Sequence, residues 1–591
     1  MWPSFFQPLE FAIRIRAIGL CFVRRDVQIS RPAVEKSRVI RSAFKVGSFT
    51  LLSRFLGLIR ETLTAFAFGT SPAMSDFVVA FRIPNMFRAL FGEGALSSAF
   101  IPVFMETRKK EGEAAAWIVA RKVITLLGTV LLGLVLIGIA GCTLFLKYPG
   151  LVEHAPMVLP LARIMLPYML FICLAALSQG ILNSFHRFSL PAFTPALLNV
   201  TWICFVLFVC PRLGTDLNHQ IFGVAWGIFF AGIVQLGAQI PTMIKIGWRP
   251  GFSWDTKDER VTRFLKLMGP TAVGQSVSQI NMLINGIIAR WATPWAPAAL
   301  YFAERLLYFP QGILATAMST VLLPVFSGHA ADGNHGRIND TLNHALKTLL
   351  FIMTPASVGL FVLAEPITRL LLHGGHFGAE SVAYTSLVVR CYAPGLLVFG
   401  LAKVFVPAFY AMQNTRTPYR IGLVSVGLNF GLNVLFTLVL PRDIKAASLA
   451  VAAVISEAFN GITLGYGIHK IIGSPGWRDV FRSAARSFVC AVLMGIVVWL
   501  AHRGIVASLA KINFHDAIQN VIAATSPNFI QHHAIGISAK IAELITVIGA
   551  MAVGATAYFG AALAFRSPEM ESVKDALRRR RKKSAAEVSA E

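Results

Sequence analysis

The sequence predicts an all-α polytopic membrane protein: fourteen transmembrane helices, arranged as two six-helix lobes in parallel pseudo-repeat with two extra C-terminal helices. Three observations predict it. First, hydrophobic residues make up 55% of the 591 and charged residues only 14%, with a mean hydropathy of +0.64. An ordinary globular chain carries about 25% charged residues, so a disordered chain is excluded and a soluble multidomain enzyme disfavoured. Second, apolar stretches long enough to cross the hydrocarbon, about 20 residues each, recur along the chain. Third, one eight-residue pattern returns 222 residues further on.

The expected spans lie at roughly 43–67, 76–104, 120–146, 157–184, 190–211, 220–245, 266–291, 298–327, 346–366, 383–411, 418–440, 445–469, 486–509 and 541–565. Three are weak by hydropathy alone. The first carries Arg54 and Arg60; the second carries Asp76, Arg82, Arg88 and Glu93; the thirteenth is short and precedes a polar stretch near 510–540. Residues 1–42 are an N-terminal extension without a convincing cleavable signal. Arg14 and Arg16 interrupt the apolar side of Trp2 to Val23, which reads as an interfacial amphipathic helix or an over-long translation start.

Loop charge sets the orientation. Lys and Arg concentrate in both tails and in the connections after even-numbered spans, which places both termini in the cytoplasm. The excess of 54 Lys and Arg over 29 Asp and Glu, a net +25, then points to anionic lipid headgroups and not to nucleic acid. The basic run Arg578 to Lys583 in the tail 567–591 is a solvated segment near such lipid. The seven cysteines form no C-x-x-C pair and read as small core hydrophobes, with no disulfide framework and no metal site.

The repeat divides the chain. Ser97-Ser-Ala-Phe-Ile-Pro-Val-Phe104 ends span two, and Ser319-Thr-Val-Leu-Leu-Pro-Val-Phe326 ends span eight. The separation is six spans, an even number, so the halves share one orientation and are related by a pseudo-twofold axis along the membrane normal. The N-lobe is 43–245, a charged inter-lobe loop is 246–265, the C-lobe is 266–469, and 470–566 holds spans 13 and 14.

Charges inside the spans are costly, at least about 2.5–3.5 kcal/mol at the bilayer centre. Nine Lys or Arg occur there: Arg54, Arg60, Arg82, Arg88, Arg163, Arg290, Arg305, Arg390 and Lys403. Arg163, Arg290 and Arg390 sit near span ends and read as snorkelling side chains. Arg54 and Arg60 are about 240° apart around a helix, so they need not share a face. Two arrangements explain the remainder: ion pairs with Glu61, Asp76, Glu93 and Glu304, or a water-filled cationic cavity between the lobes. The cavity suits a phosphate-rich ligand, because the guanidinium fork offers paired donors and stays charged. It disfavours export of cationic drugs. No G-x-x-x-x-G-K-[ST], H-E-x-x-H or G-x-S-x-G motif is present, so neither ATP hydrolysis by that loop nor these enzyme chemistries are expected, and no catalytic residue or cofactor is assigned. His373-Gly-Gly-His376 sits in a glycine turn without further ligands.

Ser53-Arg54-Phe-Leu-Gly-Leu-Ile-Arg60-Glu61 resembles the opening signature of the MurJ (MviN) family. The resemblance continues through Arg82-Ile-Pro-Asn-Met-Phe-Arg88, Gly92 to Pro102, Ile181 to Phe185, Phe188 to Ala192, Tyr301 to Leu306 and Phe309 to Gly312, and covers about 43–566. It implies a lipid II flippase of the multidrug/oligosaccharidyl-lipid/polysaccharide superfamily, working by alternating access in a bacterial inner membrane. By the same resemblance, Arg54, Arg60, Arg88 and Arg305 are cavity arginines, Asp76 is the functional aspartate, and spans 13 and 14 line a lipid-tail groove. Partners would be lipid II and cell-wall synthesis machinery. The sodium site of some members uses acidic residues in spans seven and eleven; here those spans offer Gln275, Asn281, Asn285, Asn429 and Asn433, which read as polar helix–helix contacts. Membrane potential and sodium both stand as coupling candidates. Competing readings are a flippase for another lipid-linked oligosaccharide, a cation-coupled multidrug exporter, and a non-transporting scaffold.

Overall fold

The computed structural model describes residues 32–90, 96–148, 150, 153–512 and 534–570, which are helical apart from turns, loops and one bridge between Gly374 and Phe377. Backbone polar groups in hydrocarbon must be satisfied within the segment, and helices do that. Nine helical segments among the described residues are long and apolar enough to cross a membrane. A bent pair, Ala379–Tyr392 with Gly395–Ala411, makes a tenth when taken as one span. The chain is a multi-pass membrane protein.

Helices α1 (Pro32–Phe68), α2 (Pro72–Phe87), α3 (Leu96–Lys110) and α4 (Glu113–Phe145) open the chain. Then come α5 (Val158–Met165), α6 (Pro167–Ser184), α7 (Ser189–Cys204), α8 (Leu217–Gly237) and α9 (Ile240–Lys245). The second part has α10 (Glu259–Ala292), α11 (Ala296–Ala331), α12 (His335–Val362), α13 (Ala364–Leu372), α14 (Ala379–Tyr392), α15 (Gly395–Ala411), α16 (Arg416–Val439) and α17 (Arg442–Ile472), followed by α18 (Trp477–Lys511) and α19 (Ala534–Ala564). Among the described residues, helices α1, α10 and α11 and the broken pair α2–α3 are not counted in those nine segments. Span thirteen was not weak: α18 has a mean hydropathy of 2.0 in its apolar window, and the helix starts at Trp477, ahead of the expected 486. Helix α1 begins ahead of residue 43, since Lys36, Arg38 and Arg41 do not stop a helix once it has left the apolar stretch. Trp2 to Val23, Glu93, the 513–533 part of the polar stretch and Arg578 to Lys583 lie outside the described residues.

Helix α1 packs on α7, and α8 packs on α6 and α7; α11 packs on α15, α15 on α17, and α16 on α17. The two C-terminal helices α18 and α19 pack on each other, with α18 against α12. Both prolines of the repeated octamer, Pro102 and Pro324, lie inside helices, and both terminal phenylalanines, Phe104 and Phe326, are fully buried. Cys173, Cys210 and Cys490 are buried as free thiols, as their apolar surroundings suggest, whereas Cys204 is exposed.

Helices α2–α3 run antiparallel to α10 along one seam. Asp76 meets Arg290 at 2.5 Å, Arg82 donates to the Met282 carbonyl at 2.5 Å, and Glu106 meets Arg263 at 2.7 Å. The numbers rise along one side and fall along the other, so three polar contacts close the seam at both ends and in the middle. At the Asp76 end a second contact reinforces it. His376 N–H donates to the Phe66 carbonyl at 2.9 Å, and Thr70 bonds Ser381. Gly69 and Gly375 lie there at φ +56° and +54°, and a Cβ on either would overlap the facing backbone carbonyl.

At the opposite end the charged loop before α10 forms a clamp. Lys122 donates to Asp255 and Asp258 at 2.7 and 2.8 Å, and Arg260 reaches Glu111 at 2.6 Å. The Lys122 ammonium holds Asp255 below the usual carboxylate range, and Arg260, then Lys122, do the same for Asp258. A carboxylate depressed on folding stabilises the clamped form above its ordinary pKa of about 3.9, and loses that contribution as pH falls through the depressed value. The clamp therefore persists through mild acid. Glu106→Arg and Arg263→Glu should each weaken it and together restore it. Exposed pairs couple by about 0.2–1 kcal/mol, which a double-mutant cycle on thermal unfolding measures.

Candidate transport site

The site starts from α1. Arg60 and Glu61 are adjacent in sequence and share a short ion pair inside the protein. Glu61 Oε1 also accepts from the Tyr301 hydroxyl at 3.0 Å and lies 3.4 Å from Arg305 Nε. Tyr301 and Arg305 are four apart on α11, so they share a face, and the Arg305 guanidinium lies 4.6 Å from the Tyr301 ring centroid. From α7, Asn199 accepts from Arg60 at 2.9 Å, and Trp202 stacks 4.6 Å from its guanidinium. Asn199 also donates to the Ser53 carbonyl at 2.9 Å, which fixes α1 on α7. Two guanidinium groups thus share one carboxylate, leaving one positive charge in excess. Glu61 is 7% exposed, Arg305 40%, so the open side of the group is the Arg305 side. Arg60 Nε and Glu61 Oε2 are buried without a hydrogen-bond partner.

Of the expected residues, the structure brings together Arg60, Glu61 and Arg305. Arg88 caps α2 and donates to Asn85 at 2.8 Å on its own helix. Arg54 is exposed, on the α1 face that carries Leu51, Phe55 and Leu58. Asp76 belongs to the end of the seam, where it accepts from Arg290 and from the Met157 N–H at 3.1 Å. Arg290 is therefore no snorkelling side chain: it is 9% exposed and turned inward onto a buried acid. Glu304 faces Arg82 at 3.9 Å.

Sequence reasoning underrated Arg82 and Arg290 and passed over Tyr301 and Asn199. A signal for Arg82 was present: it lies 222 residues from Glu304, the spacing of the repeat. Ser75 and Ala298, one residue off that spacing, also meet, with the Ala298 N–H 3.4 Å from the Ser75 hydroxyl. Arg82, Glu304, Tyr308, Tyr392, Asn281 and Asn433 help line a cavity of about 230 Å³. Beside it the amides close a ring: Asn285 donates to Asn429 at 2.9 Å, and Asn433 donates to Asn285 at 2.8 Å and to Asn429 at 3.2 Å. These are helix–helix contacts between α10 and α16. Among the described residues no group of three His, Cys, Asp or Glu is placed to hold a metal ion.

A bundle of apolar helices with buried ion pairs between helices is the architecture of a polytopic membrane protein. The family described as lipid II flippase MurJ matches residues 64–514. The chain belongs to that family, whose members are transporters and not enzymes. A protein named lipid II flippase MurJ from Burkholderia cenocepacia is 33% identical over 475 residues, covering 78% of this chain and 90% of its own length. A probable lipid II flippase MurJ from Vibrio cholerae is 34% identical over 479 residues, covering 78% and 89%. A solved lipid II flippase MurJ in an inward closed conformation is 25% identical with a TM-score of 0.66, covering 88% of this chain and 98% of that one. An inward-facing multidrug resistance MATE transporter of the MOP superfamily, at 13% identity and a TM-score of 0.59, shares the fold.

Proposed function

We propose that the chain moves lipid II, a polyprenyl diphosphate carrying a disaccharide-peptide, from the cytoplasmic to the periplasmic leaflet of a bacterial inner membrane. The observation that carries this, beside the family, is the convergence of Arg60 from α1 and Arg305 from α11 on one shared carboxylate, which leaves a surplus positive charge. A diphosphate offers more acceptor oxygens than Glu61 and draws Arg305, the more exposed partner, by charge-assisted bonds. Arg88 and Arg54 would add charge along the route, and Asp76, Glu61 and Glu304 would hold cations in place while the site is empty.

With the nine-residue α13 left out as too short to cross, the helices combine into fourteen spans: α2 with α3, α5 with α6, α8 with α9, and α14 with α15 each make one. Spans 1–6 and 7–12 form two lobes. Contact between Arg82 and Glu304, one repeat apart, supports a pseudo-twofold axis, because only residues near such an axis can touch their own repeat mates. The Asp76 end is periplasmic and the Asp255 clamp cytoplasmic, with both termini inside. The lobes rock about the seam, and the polyprenyl tail stays in lipid along α18 and α19. Anionic lipids contact the basic tails, and cell-wall synthesis enzymes are the natural neighbours. The neutral amide ring supports drive by the membrane potential, about 2.3 kcal/mol per charge per 100 mV, over a sodium ion held there. Complementation tests the whole reading. In a host depleted of its own flippase, the chain should restore periplasmic accessibility of the lipid-linked precursor; accumulation of the precursor inside, with the chain stably inserted, would refute it.

A further inference from the structure

One of the cavities among the described residues plays no part in the proposed transport route. It lies at the Asp76 end of the seam, holds about 550 Å³, and is lined by His154, Arg290, Trp291, Thr293 and Arg442 among others. Among the described residues its charged lining is cationic only. The acidic neighbours Glu153 and Asp443 do not line it. Arg290 is 9% exposed and commits its Nε to Asp76, so its four terminal N–H groups remain for a ligand. Thr293 is 5% exposed, and its hydroxyl is buried without a hydrogen-bond partner. Arg442 is the first residue of the 31-residue helix α17, and Thr293 and Pro294 lead into the 36-residue α11. Both helix N-termini favour an anion, while Arg290 in the last turn of α10 offsets the negative end of that helix.

We propose that this cavity is a second anion site, which takes the diphosphate of the lipid-linked substrate as it leaves on the periplasmic side. The inference rests on the flippase reading. Asp76 and a diphosphate compete for the same arginine. When the seam closes, Asp76 holds Arg290 and the exit station is weak. When the seam parts, Arg290 is released and joins Arg442, His154 and the Thr293 hydroxyl around the phosphoryl oxygens. Release from the central group is thereby coupled to opening, and Asp76 returns the arginine as the product departs.

The test uses the full chain in lipid nanodiscs with Asp76→Asn, which frees Arg290 as opening of the seam would, and Pro294→Cys in the cavity lining, read against Asp76→Asn alone. Inorganic diphosphate should slow modification by a membrane-impermeant maleimide about tenfold, the worth of one charge-assisted contact. Sulfate at matched ionic strength should not. Adding Arg442→Gln should remove the protection, and Arg442→Lys should keep most of it. Equal labelling with and without diphosphate, or equal protection by sulfate, overturns the proposal. In flippase-depleted cells, His154→Gln with Arg442→Gln should slow precursor exposure several-fold at normal protein level. Full-rate exposure by that double variant also overturns it while leaving the flippase reading intact. If the parent chain itself exposes no precursor, the flippase reading fails, and with it the exit role.

Discussion

Arg305→Ala is expected to leave lipid-linked precursor on the cytoplasmic side of the membrane, with the protein still inserted at normal level. The side chain is 40% exposed, so its loss opens no deep cavity. What disappears is the surplus charge. In its absence Arg60 and Glu61 balance each other, and the group has no net attraction for a diphosphate. A hydrogen bond to a charged group contributes about 1.5–3 kcal/mol; two from one guanidinium fork would amount to about 3–6 kcal/mol, enough for at least a hundredfold loss of affinity. Arg305→Lys keeps the charge but not the planar fork, and should retain part of the activity. Periplasmic accessibility of the precursor in flippase-depleted cells measures both. Wild-type exposure by Arg305→Ala would remove the shared-carboxylate group from the transport route.

Much of this was legible in the sequence, for identifiable reasons. Hydropathy and length set the helices, because a lipid-spanning segment must be apolar and must satisfy its own backbone. Spans one and two were marked by their own charges. The site was legible residue by residue but not in its pairing. Adjacent residues on a helix do not face each other, so the Arg60–Glu61 contact was not written in the spacing; Tyr301 and Asn199 come from helices about 240 and 140 residues away in sequence, and nothing local ties Tyr301 to Glu61 or Asn199 to Arg60. Arg290 was misread because position near a span end predicts snorkelling, whereas a buried partner on another helix overrides it. The Arg82–Glu304 pair left a trace in the sequence, since the two residues are separated by the same 222 residues as the two octamers.

Asp76→Asn is expected to shift the protein toward the state open at the Arg290 end. Both partners are nine-tenths buried or more, at 9% and 2% side-chain exposure, and lie 2.5 Å apart. Removing one member of a buried pair leaves the other charge unpaired, at a cost of about 3–5 kcal/mol. In this protein the cost has an outlet. Opening the seam returns Arg290 to water, so the closed state is penalised and the open one is not. Met157 N–H, which Asp76 also receives, can still bond the asparagine carbonyl, so the local fold survives. A bias of that size exceeds the preference needed to invert a two-state equilibrium of a few kcal/mol. Distances between spin labels at residues 154 and 294, which both line the cavity at the Asp76 end, should lengthen in Asp76→Asn and transport should fall, because a protein held open at one end would not reload from the other. Asp76→Asn with Arg290→Gln removes both charges and should restore the closed distance but not the rate. If the single variant keeps the wild-type distance distribution, the pair is a packing contact and the seam is governed elsewhere.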